Sequence, residues 1–482
     1  MPHDTAHGIA NPGVGVPEDE LILGEAHGLP LRYNKANSLI TIGGSGSGKF
    51  ASMIAPNLLH YTGGSVIVND PKGESAAVTQ RFRRSLGKAF IINPFNVLLR
   101  ELGLSACFNP MADLDPLSDT FTSDVGALAA AIVLDGPAGH DGFFTKSARN
   151  LVGGLIAHLR MQDSTLVDVS DVLHMRKDEF NLVLEHMMES PYAVVHDAAV
   201  DMLDTGKGGQ DSVRDTLRTA RNEFKAFMSA DGIRRCLSRS DFKWSDLKRE
   251  KTTVYIVLPE AESKTFSRFT RLLYASSLKA LLRDYDNPLP VYYLMDEIAT
   301  SIGESELDLV ETAVSLGRGY GVRAHLVFQN YGQLKDIFKG RAASVESGAG
   351  VMQFFEASDE TTFEKMRSRG GKTTLWIETE NRQENWGQSG GTSSGGGTNG
   401  HSSTNIGWNR GASKGQSEQP IPVDLIDANV AYQLGSMDRG KTEARQILIF
   451  RGLTPPVMAS RTAYYVQPHF AARADPNPYI KK

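Results

Sequence analysis

Apolar residues fall along the chain in short runs with little polar interruption. Ser38–Ile42, Ser65–Asn69, Ala89–Ile92, Thr253–Leu258, Val291–Met295, Arg323–Gln329 and Gly350–Phe355 are rich in Val, Ile, Leu, Phe and Tyr. Runs of this kind belong to strands covered on both faces. A helix carrying Arg81, Arg83 and Arg84 separates two of them, and this βα alternation from Ala36 to about Pro94 predicts a mostly parallel α/β sheet. Between about 112 and 246 the period lengthens to that of helices, over Phe121–Leu134, Phe144–Met161, Phe180–Met188 and Ser212–Met228. That stretch predicts an all-α domain inserted into the sheet.

The remaining pattern divides the chain further. Residues 1–36 read as a loose arm with a short hairpin, Leu21–Gly24 followed by Leu29–Tyr33. Residues 37–111 and 247–470 together make the α/β domain, with a helix from about Asp359 to Arg369, a strand over Thr373–Ile377 and a closing strand over Ala444–Phe450. Residues 387–416 are rich in Gly, Ser, Thr and Asn with little to bury, which predicts a mobile loop inside that domain. Residues 471–482 form a C-terminal tail.

Length and charge narrow the function classes. The 482 residues exceed one ordinary domain, and 40% hydrophobic content suffices for a sizeable core. A net charge of −5 carries no global nucleic-acid signature, so any DNA contact must be local. The two cysteines, Cys107 and Cys236, lack metal-ligand neighbours and fit a reducing compartment. No apolar stretch approaches the roughly twenty residues of a membrane helix, and the first residues are polar, so the chain as given is expected to be soluble.

The chemistry begins at Gly43-Gly44-Ser45-Gly46-Ser47-Gly48-Lys49, which follows the run Ser38–Ile42 and precedes a helix. Strand, glycine loop and helix in that order make a phosphate cradle: backbone N–H groups turn inward, the helix N-terminus adds partial positive charge, and Lys49 reaches the β- and γ-phosphates. The position after the lysine usually holds Ser or Thr as a Mg²⁺ ligand; here it is Phe50. Val291–Met295 ends in Asp296-Glu297. Acids at the carboxyl edge of a buried strand suit a metal-side carboxylate, Asp296, followed by a general base, Glu297. Gln329 ends another apolar run, where it can hydrogen-bond a γ-phosphate and the attacking water. Arg318 lies on a glycine-flanked loop suited to presenting a guanidinium to a nucleotide on a neighbouring subunit. The basic stripe Arg214, Arg218, Arg221, Lys225 and the cluster Arg81, Arg83, Arg84, Lys88 read first as solvated helix faces.

Several motifs in fixed order then resemble the TraG/TraD-type coupling proteins of bacterial type IV secretion and conjugation. They are the glycine loop, Pro56–Leu59, Val68–Glu74, Asn93–Phe95, Asp296-Glu297, Gly319–Arg323, Gln329 and Gln333-Leu334, and the likeness runs from about Leu23 to Tyr465. The resemblance implies a RecA-like ATPase domain binding ATP and Mg²⁺, an all-α substrate-recognition domain, and a homo-hexamer with nucleotide at subunit boundaries. It also implies delivery of relaxase–DNA complexes or effector proteins to an inner-membrane secretion channel. By position, Lys49 corresponds to the phosphate-binding lysine, Asp296 and Glu297 to the metal acid and catalytic base, Gln329 to the sensor glutamine and Arg318 to a trans-acting arginine. Two features depart from the pattern. Phe50 replaces the small residue usual after the lysine, and the N-terminal pair of membrane helices is missing, which leaves three readings: a soluble variant, a cytoplasmic chain docked at the inner face of the inner membrane through partners, or a piece of a longer chain. Two other readings remain open: a nucleotide-binding substrate receptor with weak hydrolysis, and a soluble ring DNA translocase without a secretion role.

Overall fold

The computed structural model describes residues 19–134, 140–203, 209–263, 265–283, 289–299, 308–357, 359–392, 404–432, 434–435, 441–452 and 455–480. It forms two compact units, one of Met1–Lys365 with Ala428–Lys482 and one of Met366–Asp427. In the first, strands β1 (Leu21–Ala26), β2 (Leu29–Tyr33), β3 (Ser38–Ile42), β4 (Ser65–Asn69), β5 (Lys88–Ile92), β6 (Thr252–Ile256), β7 (Val291–Met295), β8 (Val322–Phe328) and β9 (Ala349–Phe354) are joined by two later strands. With β10 (Lys372–Thr392) and β11 (Thr404–Asp424) counted in chain order, these two are β12 (Glu443–Phe450) and β13 (Val457–Thr462). The sheet order is β2-β1-β13-β12-β9-β3-β8-β7-β4-β6-β5. From β9 to β5 all neighbours are parallel, whereas β12, β13, β1 and β2 extend the sheet antiparallel.

The parallel strands are the continuous apolar runs. β3, β4, β6, β7 and β8 are buried at every position, because helices cover both faces. The strand order matters for function. β8 lies between β3, which leads into the glycine loop, and β7, which ends at Asp296, so the carboxyl ends of three strands share one edge.

A buried polar relay crosses this sheet. Thr41 Oγ1 donates to Gln353 Oε1 (2.7 Å) and therefore accepts from His325 Nε2–H (2.7 Å), which leaves Nδ1 to accept the Tyr292 hydroxyl (2.7 Å). His325 is thus held neutral, and burial pushes its pKa down to about 3. A base whose pKa falls on folding stabilises fully above its unfolded value of about 6.5, and that stability is lost as the pH drops below it. We expect the stability advantage of the parent chain over His325→Gln to shrink by about 2 kcal/mol between pH 8 and pH 5. Denaturant melts at the two pH values check this; a pH-independent difference would refute it.

The interval 112–246 is helical, with helices at Phe121–Ile132, His140–Arg160, Lys177–Met188 and Gly209–Met228 close to the expected ranges. Leu166–Leu173, Ala193–Leu203 and Asp231–Cys236 add three that periodicity did not mark, being short. The chain enters and leaves this stretch side by side: Phe108 N–H bonds Cys236 O (2.8 Å) and Asp241 N–H bonds Cys107 O (2.9 Å). Buried Asp124 pairs with Lys279 (3.4 Å) and Arg283 from the sheet-covering helix region Ser267–Leu281 and its end. The helices and the sheet belong to one compact unit.

Two expectations are corrected. The arm before residue 37 is not loose from Glu20 onward: β1 pairs β2 and β13, Leu21, Leu23, Leu31 and Tyr33 enter the core, and Asn57 holds Ile22 through both backbone groups (2.7 and 3.0 Å). Within 387–416, residues 387–392 and 404–416 pair as part of a β10–β11 ladder, since backbone hydrogen bonds need no apolar side chains; 393–403 lie outside the described residues. The C-terminal tail after 470 is anchored. Asp475 N–H bonds Val78 O (2.8 Å), Arg473 Nη1 bonds Leu59 O (2.7 Å), and the Arg473 guanidinium lies 4.8 Å from the Phe82 ring centre.

The basic clusters also resolve. Arg83 is fully buried, bonding Thr253 Oγ1 (2.9 Å) and Tyr61 O, while Arg81 pairs with Asp475 (2.6 Å) and Lys88 with Glu250 (2.6 Å). In the other stripe, Arg214 and Arg218 pair with Asp211 and Asp215, and Arg221 caps Leu173 O (2.5 Å). Among the described residues, no helix is long and apolar enough to cross a membrane.

Candidate functional site

The glycine loop closes the carboxyl end of β3. Gly43 N–H bonds Phe328 O (3.0 Å), so the loop starts locked to β8. Gly46 (φ 78°) and Gly48 (φ 83°) adopt the left-handed backbone that only glycine takes at little cost. The helical segment Phe50–His60 then begins with a π-helical turn over Phe50–Ile54. Lys49 is buried and folds back on the loop, donating to Gly43 O (2.6 Å) and Gly44 O (2.9 Å). Burial pushes its ammonium pKa down, against the opposing pull of the Asp296 and Glu297 carboxylates.

Both carboxylates line the same cavity as the loop, which measures about 570 Å³. Asn69, at the end of neighbouring β4, donates from Nδ2 to Asp296 O (2.5 Å) and fixes the turn after β7. Burial raises the Asp296 pKa to about 6, partly offset by Lys49. Glu297 sits at φ 49°, a left-handed conformation costing a non-glycine residue on the order of 1–3 kcal/mol. Burial, then a hydrogen bond to Glu260, then the Asp296 charge raise its pKa to about 7. The surrounding fold holds a strained carboxyl at the cavity because neighbouring strands and Asn69 determine where the turn goes.

Two expected residues stand apart from this cavity. Gln329 immediately follows β8 at the same sheet edge, with its N–H bonded to Gln333 Oε1 (2.9 Å), but it is not among the residues lining the cavity. Arg318 is exposed on the short turn Gly317–Tyr320 that precedes β8, at the opposite edge of the sheet. The seven residues of β8 put about 20 Å between that edge and the glycine loop.

Several site residues escaped sequence reasoning. Asp70, Lys72 and Glu74 line the cavity from the end of β4; the carboxyl-edge position that marked Asp296 would have marked them too. Asp70 accepts from Ser75 N–H (3.2 Å) and Ala76 N–H (2.8 Å), and burial still raises its pKa to about 7. Arg461 on β13 is fully buried behind the loop, donating to Ser47 O (2.5 Å) and stacking over Phe355 (4.0 Å to the ring centre). Tyr464, Tyr465, Asn477, Tyr479 and Ile480 also line the cavity, and Phe50 meets Tyr464 edge-on at 5.8 Å. No local pattern announces residues so distant in sequence.

Fold and loop together define a P-loop protein of RecA-like architecture. Residues 14–407 match the family model described as type IV secretory system conjugative DNA transfer, and the chain belongs to that family. Conjugal transfer protein TraG of Rhizobium radiobacter is 26% identical over 361 residues, covering 71% of this chain and 53% of that protein. Protein VirD4 of the same species is 26% identical over 323 residues, covering 66% and 45%. The chain therefore spans about half the length of these relatives. Among solved structures, plasmid coupling protein TrwB in complex with a non-hydrolysable ATP analogue has a TM-score of 0.59 at 13% identity, covering 90% of this chain and 87% of that one. TrwB with ADP and Mg²⁺ has a TM-score of 0.58 over the same shares.

Proposed function

We propose that this protein binds and hydrolyses ATP with Mg²⁺ and uses the cycle to couple relaxase–DNA complexes or effector proteins to a type IV secretion or conjugation channel. The reading is of a homo-hexamer at the inner face of the bacterial inner membrane, held there by partners, with residues 112–246 recognising substrate. The observation that carries the nucleotide part is the convergence of Lys49, Asp296 and Glu297 on one cavity at the carboxyl edge of the sheet. One buried atom supports the fit: Asp296 Oδ1 has no hydrogen-bond partner among the described residues, as expected of a group whose partner arrives with a nucleotide. The family match and the nucleotide-bound TrwB structures of the same fold support it further.

Asp296 and the phosphate oxygens would hold Mg²⁺, since no cluster of three or more His, Cys, Asp or Glu able to cage a metal exists among the described residues. The metal would neutralise charge on the phosphates. Lys49, released from the loop carbonyls, would bind the β- and γ-phosphates. Glu297 would take a proton from the attacking water, and Gln329, which follows β8 at the same sheet edge but outside the cavity lining, is the candidate to orient that water.

Phe50 favours a second reading, a nucleotide-binding receptor that hydrolyses slowly, because its ring supplies no metal ligand and instead packs on Tyr464. One experiment addresses both. Phosphate release should depend on Mg²⁺ and rise when relaxase–DNA complex is added, and Phe50→Thr should raise the Mg²⁺-dependent rate by restoring a hydroxyl ligand. ATP binding without Mg²⁺-dependent turnover in either form would favour the receptor; no ATP binding would refute both.

A further inference from the structure

The cavity is lined by two chemically different sets of residues. One is the glycine loop with Lys49 and the acids; the other is built from the C-terminal segment, more than four hundred residues along the chain. That segment is fixed in place by a series of side-chain contacts to the first helices. Arg81 pairs with Asp475 (2.6 Å), Asn477 Nδ2 donates to Glu74 Oε1 (2.6 Å), and the Tyr479 hydroxyl donates to Lys72 O (2.7 Å). Yet its apolar side chains are left uncovered where they border the cavity: Tyr465 is 42% exposed, Tyr479 51% and Ile480 54%.

An anchored segment that leaves aromatic faces open beside a phosphate loop is shaped for an amphipathic ligand whose flat apolar part lies away from its charges. We infer that the C-terminal segment is the base-binding wall of the nucleotide site, with Tyr465 and Tyr479 taking the nucleobase of a nucleoside triphosphate in cis. This rests on the proposed nucleotide reading and adds to it which part of the chain recognises the nucleoside. It also gives Phe50 a role, since its edge-on contact with Tyr464 joins the start of the phosphate-binding helix to the base wall. Recognition here is by ring faces, and every nucleobase has one, so ATP and GTP should bind with similar affinity.

The test is calorimetric titration of the full chain with Mg²⁺-ATP and, separately, Mg²⁺-tripolyphosphate, which has the charges without the nucleoside. Stacking on an aromatic side chain is worth about 5- to 150-fold per base. Tyr465→Ala and Tyr479→Ala should each weaken ATP by a factor in that range and leave tripolyphosphate unchanged. Tyr465→Phe keeps the ring and should keep ATP affinity. Full ATP affinity in both alanine variants, alongside loss of both ligands in Lys49→Ala, would overturn the base wall while sparing the phosphate site. Equal loss of ATP and tripolyphosphate in the alanine variants would also overturn it, making the tyrosines structural supports. A parent chain that binds neither ligand would refute the nucleotide reading itself.

Discussion

Glu297→Gln is expected to bind ATP as the parent chain does and to turn it over about 10²–10⁴-fold more slowly, the range that a positioned general base contributes. The substitution keeps size and hydrogen-bonding capacity, so the strained turn after β7 and its Asn69 anchor are retained. What it removes is a carboxylate able to accept the proton of the attacking water. Lys49→Ala acts at a different stage. It deletes the cation facing the phosphates and should abolish binding, so the two variants separate binding from chemistry. Equilibrium binding of a fluorescent ATP analogue and single-turnover phosphate release distinguish them. Equal turnover by the parent chain and Glu297→Gln would remove Glu297 from the mechanism.

Arg318→Ala is expected to leave nucleotide affinity of the isolated chain unchanged and to depress turnover by about 10³ or more in the assembled protein, the scale of an arginine finger. The geometry makes the direction of action testable. Arg318 is exposed and about 20 Å along β8 from the chain's own glycine loop, so a guanidinium there cannot serve that loop in cis. If it acts on a nucleotide, that nucleotide belongs to a neighbouring copy. Mixing Arg318→Ala with Glu297→Gln should therefore recover activity, because some interfaces pair an intact Glu297 with an intact Arg318. Cross-linked mixed assemblies without recovered turnover would reduce Arg318 to a surface charge.

The sequence by itself determined the parallel strands, the helical insert and the glycine loop that lines the cavity. Those signals are local: a buried strand reads as an apolar run, a helix as a period, and the glycine loop as Gly43–Lys49 in register with the strand before it. Asp296 and Glu297 were legible for the same reason, at the end of Val291–Met295. The β10–β11 ladder was not, because backbone pairing can order a stretch whose side chains bury nothing, and Gly/Ser-rich composition carries no trace of its partner strand.

Only the tertiary structure decided that β8 lies between β3 and β7, that the hairpin Leu21–Tyr33 joins the sheet through β13, and that Arg83 and Arg461 are buried supports. It alone brought Tyr465 and Tyr479 to the cavity that Lys49 opens. Each of these is a contact between residues far apart in the chain. Their energy comes from surfaces that meet only after the sheet has closed, and a periodicity or motif of neighbouring residues records nothing about that meeting.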